Sequence, residues 1–120
     1  MIYGQFRDGF PRVTLSLPGR NGARAVEFIV DTGFDGEIAL PPELLRDLDA
    51  VFAGDHPILL ADRTYRRRSI YRILLEWGDE DRETEIIEID GNPLLGNGLM
   101  FDTLLQAEMR EGGEVAIESL

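Results

Sequence analysis

Phe28-Ile29-Val30-Asp31-Thr32-Gly33-Phe34-Asp35-Gly36-Glu37-Ile38-Ala39-Leu40-Pro41 is the stretch on which the reading of this chain turns. An apolar run stops at an acid, a hydroxyl and a glycine. A second apolar run resumes a few residues later. A carboxylate at the end of a buried strand must be hydrogen-bonded, ion-paired or put to use. Asp31 is therefore the first candidate for chemistry, and the flanking segments are read as its supports.

Upstream, Arg12-Val13-Thr14-Leu15-Ser16-Leu17 alternates apolar and polar, the period of a half-buried strand. Pro18-Gly19-Arg20-Asn21-Gly22 breaks it, and Asn-Gly is a strong hairpin signal because both residues tolerate positive φ. Ala25 to Val30 returns as the second strand, with Val26, Phe28 and Val30 on one face. Downstream, Glu37 to Leu40 reads as a short strand. Pro41 to Leu48 reads as a helix with Leu44, Leu45 and Leu48 on one stripe, ending near Asp49 or Ala50. Ile58 to Ala61, Ser69 to Trp77 and Thr84 to Asp90 read as further strands, with Tyr71, Ile73, Leu75 and Trp77 sharing a face. Leu99 to Leu105 has helical spacing, and Glu114 to Glu118 is a last strand. Some seven short strands with turn signals every eight to twelve residues predict a small closed β-barrel with one or two short helices, a single domain over residues 1–120.

Composition narrows the function. The chain has 120 residues, 43% of them hydrophobic, which suits one core. It has no cysteine, so disulfides and thiolate zinc sites are out and a reducing, cytoplasmic home is expected. Met1 to Gly9 does not read as a signal peptide, and the apolar runs are too short to cross a bilayer. With 12 basic and 23 acidic side chains the formal charge is −11, which argues against a nucleic acid partner, as the short apolar runs argue against a membrane. Arg66-Arg67-Arg68 is the local exception. It reads as a solvated hairpin edge, or as a contact for an acidic substrate or an acidic partner patch. His56 stands alone, so no metal site is expected.

Ile29-Val30-Asp31-Thr32-Gly33 resembles the active-site turn of the retropepsin-like aspartic proteases. Leu94-Leu95-Gly96-Asn97-Gly98-Leu99-Met100 resembles that family's second signature, an apolar pair and a glycine leading into a short helix. The likeness spans roughly residues 12 to 118 and is nearest to the small single-domain prokaryotic members. It implies a barrel of the retropepsin type, built as two copies of one β-β-β-α unit. It also implies a homodimeric endopeptidase acting on a peptide or protein substrate without a cofactor. Asp31, Thr32 and Gly33 would form the catalytic turn. Phe34 and Asp35, with Ala61 and Asp62 on a covering hairpin or flap, would meet substrate. The alternative is a catalytically idle dimer of the same fold that binds peptides or acts as a scaffold.

The chemistry explains the dimer. Peptide hydrolysis by this route needs two carboxylates about 3 Å apart, which cannot both ionise. One chain carries one Asp-Thr-Gly, so a two-fold axis must bring Asp31 of a second copy alongside. An ordinary hairpin turn is the plain alternative for Asp31-Thr32-Gly33, and a turn-capping acid for Asp35. A calcium loop fails on spacing, because its third and twelfth positions would be Gly33 and Pro42. Three departures from the family stand out. Phe34 replaces a small residue. Asn97 replaces an arginine, leaving Arg7 or Arg12 to support Asp35, or leaving that acid unpaired. The flap segment, Leu60 to Ser69, has no glycine.

Overall fold

A computed structural model describes all 120 residues as ten strands and two one-turn helices. In chain order these are β1 (Ile2–Arg7), β2 (Phe10–Leu17), β3 (Arg24–Val30), β4 (Ile38–Leu40), α1 (Pro42–Leu45), β5 (Val51–Leu59), β6 (Tyr65–Trp77), β7 (Glu80–Glu88), β8 (Leu94–Leu95), α2 (Asn97–Met100), β9 (Thr103–Ala107) and β10 (Glu114–Ser119). The mainly β reading holds. No helix is long and apolar enough to cross a membrane.

All ten strands belong to one sheet, in the order β5-β6-β7-β4-β8-β3-β2-β1-β10-β9. The sheet folds over itself, so that β2 lies against β6. One core forms between the layers. Val13, Leu15 and Leu17 of β2, Val26, Phe28 and Val30 of β3, and Ile73 and Leu75 of β6 all enter it. Period-two alternation dictates this: Thr14, Ser16 and Glu27 fall between those residues and are exposed.

The sheet does not close into a barrel, contrary to the expectation from strand count. β5 and β9 are free edges, and no ladder joins them. β5 is poorly suited to pairing on its outer side. It is bulged between Phe52 and Gly54, and Pro57 has no amide to donate.

The centre of the sheet has a particular plan. β2-β3-β4-α1 and β6-β7-β8-α2 are two successive β-β-β-α units. The third strand of each pairs in parallel with the second strand of the other: β4 with β7, and β8 with β3. β4 and β8 meet antiparallel between them. The two halves are thus exchanged through their shortest strands.

Several element boundaries differ from the sequence expectation, each for a local reason. The helix expected over Leu99 to Leu105 is only α2. Phe101 leaves helical geometry and Asp102 takes φ 63°, so the chain enters β9 and pairs with β10. The helix expected to reach Asp49 or Ala50 is only α1. Its turn hydrogen bonds run on to Leu48, but the Asp49 amide donates to the Pro18 carbonyl and draws the chain away. β1 was not anticipated, because the inward position between Ile2 and Phe6 is Gly4. A Cβ there would lie 1.8 Å from the Arg12 carbonyl oxygen, so glycine is required by the close approach of β2. β5 begins at Val51, not Ile58, because pairing to β6 overrides a polar, glycine- and proline-containing sequence.

Phe28 is fully buried at the centre of this core. Phe28→Ala should cost about 3–5 kcal/mol by removing a buried ring and leaving a cavity. Urea unfolding followed by tryptophan fluorescence of Trp77 measures it.

Candidate active site

β3 enters the core through Val26, Phe28 and Val30 and ends at the half-buried Asp31. The main chain keeps its strand course for one more residue, because the Asp31 amide donates to the Leu95 carbonyl at 2.9 Å. Asp31 Oδ1 then accepts the Gly33 amide at 2.9 Å. That bond closes a tight turn through Thr32 and Gly33, both exposed. The Phe34 amide donates to the Asp31 carbonyl at 3.2 Å and completes it. One carboxylate oxygen is thereby held by the backbone, and Oδ2 is free to meet another group.

The second motif is built into the same turn. β8 lies between β3 and β4, so Leu95 sits in the core directly beneath Asp31. The Gly96 amide donates to the Glu37 carbonyl at 2.9 Å, and the Asn97 amide to the Phe34 carbonyl at 2.8 Å. The Asn97 side-chain amide donates to the Thr32 carbonyl at 2.6 Å. Asn97 therefore ties α2 to the turn directly. The Gly98 amide reaches the Gly36 carbonyl at 3.0 Å. Two distant stretches of sequence are laced together by main-chain bonds.

Phe34 accounts for the glycines on both sides. A Cβ on Gly36 would fall 2.5 Å from the Phe34 ring, and one on Gly96 would fall 2.6 Å from it and 2.3 Å from the Gly36 carbonyl oxygen. The ring, half-buried, lies against both glycines. Phe34 is thus first a packing residue of the turn. Gly96→Ala should destabilise the fold by more than about 2 kcal/mol, because backbone, not a flexible side chain, stands in the way. Thermal unfolding of the purified variant measures the loss.

Asp35 is exposed and makes no ion pair. Neither Arg7 nor Arg12 reaches it: both turn to Glu27 on the outer side of β3, and the Arg7 contact holds the Glu27 carboxyl below its usual range. Of the two outcomes open for Asp35, it is left unpaired. A support that the sequence did not announce is the pair Arg82–Glu37, 2.7 Å apart. Arg82 also donates to the carbonyls of Gly98 (3.1 Å) and Leu99 (3.3 Å), and Glu37 accepts the Glu85 amide at 2.9 Å. This clasp pins the start of β4, the strand β7 and α2 to one another behind the turn. No local pattern links positions 37 and 82, and Arg82 sits inside an acidic run that reads as solvated surface.

Ala61 and Asp62 lie at the exposed tip of the β5–β6 hairpin. Asp62 Oδ1 accepts the Thr64 amide at 3.0 Å and the Thr64 hydroxyl at 2.6 Å, and Arg63 takes φ 65°. The tip thus turns without glycine by placing an arginine in the left-handed region and bracing it with an aspartate. The Thr64 hydroxyl, then its amide, hold the Asp62 carboxyl below the ordinary aspartate range. A lowered folded value means that the brace is complete above the ordinary aspartate pKa. It is lost only as pH falls through the lowered value, so the tip stays intact in mildly acid solution.

A cleft of about 320 Å³ opens beside Asp31. Ile29, Leu94, Ile89 and Phe10 form its apolar wall, with Asp90 and Asn92 at the rim. Ala61 and Asp62, expected on a covering flap, do not line it. Within one chain, then, the structure unites Asp31, Thr32, Gly33, Phe34 and Asp35 with the second motif and leaves the hairpin tip apart. No group of three or more histidine or acidic side chains is placed to hold a metal ion.

The fold and site define a mainly β chain with one carboxylate held in a glycine turn beside an apolar cleft. Compared with protein-family models, with curated proteins and with solved structures, the chain matches none.

Proposed function

We propose that this chain is a retropepsin-like aspartic endopeptidase, active as a homodimer that pairs two Asp31 carboxylates. The observation that carries the reading is the laced turn. Asp31-Thr32-Gly33 is bonded to Leu95, and Asn97 to Thr32 and Phe34. This amounts to a large investment in orienting one acid that makes no ion pair of its own. The exchanged β-β-β-α units agree with the same reading.

In this mechanism one Asp31 is ionised and its partner copy's equivalent is protonated. The ionised carboxylate takes a proton from a water held between the two. The resulting hydroxide attacks the scissile carbonyl carbon while the protonated carboxyl gives its proton to the carbonyl oxygen. The tetrahedral diol then collapses, a carboxyl proton passes to the amide nitrogen, and the C–N bond breaks. The Gly33 amide, bonded to Oδ1, steadies the carboxylate through the cycle. The apolar wall of Ile29, Leu94 and Ile89 suits an apolar side chain next to the scissile bond.

The dimer needs an apolar surface near the turn. Phe101, 78% exposed, ends α2 one helical turn beyond Asn97. The Thr32 hydroxyl has no hydrogen bond within the chain and is exposed, available to a second copy.

Asp31→Asn should abolish cleavage of an unfolded protein at mildly acid pH while the dimer persists in analytical ultracentrifugation. An unchanged rate would assign the activity elsewhere. Phe101→Asp should shift the same sedimentation profile to monomer and remove at least about nine-tenths of the activity. A monomer that keeps full activity would exclude the shared site.

A further inference from the structure

The hairpin formed by β5 and β6 has a charge unlike the rest of the chain. Between positions 55 and 69 it carries Arg63, Arg66, Arg67 and Arg68 against Asp55 and Asp62, in a chain of formal charge −11. Both aspartates are engaged by hydroxyls: Asp55 by Ser69 at 2.9 Å and Asp62 by Thr64. The four arginines are engaged by no carboxylate. The chain's ion pairs belong to Arg7, Arg12, Arg24, Arg72, Arg82 and Arg110. An acidic protein has carboxylates to spare, yet these guanidinium groups stand clear of them on a projecting arm.

The register gives the arm a direction. Ile29, Leu94, Ala39, Ile87 and Ile70 are successive cross-strand neighbours over five strands. They form a row on the sheet face opposite the main core. Asp31 follows Ile29 by two residues and shares that face. Arg68 and Arg66 precede Ile70 by two and four, and share it too. Asp31 and the two unpartnered arginines thus project from one face of the sheet, four strand spacings or about 19 Å apart, and are displaced from the row in opposite directions along the strands, because β6 runs the same way as β3. Arg66 and Arg68 are spaced about 7 Å apart along the strand, the same interval as alternate side chains of an extended peptide.

We propose that Arg66 and Arg68 determine specificity by binding an extended acidic segment of the polypeptide substrate, one with Asp or Glu at alternate positions to one side of the scissile bond. This rests on the endopeptidase reading for the cleavage step but not for the binding. Guanidinium groups pair with carboxylates through two parallel N–H···O bonds, so position as well as charge is read. The arm carries +2, four arginines less two aspartates, so the rest of the chain carries −11 − 2 = −13 and disfavours an acidic peptide, which makes the arm the point of capture.

The test uses the chain carrying Asp31→Asn, which should hold substrate uncut, and a fluorescent peptide in which about seven or eight residues separate Glu-Val-Glu from an apolar pair, the extended length that spans Asp31 and the arm. Its analogue has Gln for both Glu. Anisotropy should show the Glu peptide bound about tenfold more tightly, with the preference fading in high salt. Arg66→Gln and Arg68→Gln, made singly and together in that background, should bring the two peptides to parity. In the otherwise native chain the same substitutions should raise KM for the Glu peptide about tenfold and leave kcat in place. Equal binding of the two peptides, or an undiminished preference in the double variant, overturns the proposal. So does tighter binding of single-stranded RNA than of the peptide, or loss of the dimer on Arg→Gln substitution, which would make the arm a subunit contact. Selective binding without cleavage by any form of the chain keeps the arm and removes the peptidase reading. Cleavage without preference does the reverse.

Discussion

The structure depends on the passage of β8 between β3 and β4. Two residues, Leu94 and Leu95, supply the hydrogen bonds that neither neighbouring strand could find elsewhere. An unpaired buried amide or carbonyl costs free energy comparable to a lost hydrogen bond, so this short insertion has large leverage. It bonds Asp31 to Leu95 and Gly96 to Glu37, and through Asn97 it reaches Thr32 and Phe34. Packing follows from the same constraint. β3, β8 and β4 can lie this close to the turn only if Gly36 and Gly96 leave room for the Phe34 ring. Core, turn and carboxylate orientation therefore form one unit.

Electrostatics are arranged around that unit with some economy. Arg82 is the only cation spent directly behind the turn, and it serves Glu37, Gly98 and Leu99 together. Arg7 and Arg12 are taken up by Glu27 on the outer surface, a half-exposed cluster of the kind that contributes little to stability. Asp31 and Asp35 are left without counter-ions. The Asp31 carboxylate, held by one backbone amide and by no arginine, keeps its second oxygen free for another group.

Much of this was legible in the sequence where the signal is local. The alternation of Val13, Leu15 and Leu17, and of Val26, Phe28 and Val30, reports a half-buried hairpin directly, and Asn21-Gly22 marks its turn. The abrupt change at Asp31-Thr32-Gly33 marks the candidate site. Leu94-Leu95-Gly96 could be recognised as the site's underlay, but a two-residue strand has no period, so its parallel and antiparallel partners could not be read. β5 was legible only at its end, because Gly54, Asp55 and Pro57 describe a loop until β6 pairs with them. Leu99 to Leu105 has helical spacing, yet Asp102 in the left-handed region ends the helix after one turn. The barrel expectation failed at a similar level. Turn signals gave some seven strands where the structure has ten, because β1, β8 and β9 carry no clear strand period of their own, and closure depends on whether two edges separated by most of the chain find each other.

The threaded strand also has consequences for how the molecule is made. Residues 94 and 95 occupy the middle of the sheet but come late in the chain, so the first ninety residues leave a ribosome with the seam between β3 and β4 still unfilled. Its neighbours carry apolar faces and free peptide groups until the last strands arrive. Pairings of such long sequence separation delay folding, because loop closure must come before the contacts that reward it. During synthesis the nascent chain therefore holds open a slot shaped for a short apolar β-segment, the period of its life when chaperones and aggregation compete for it.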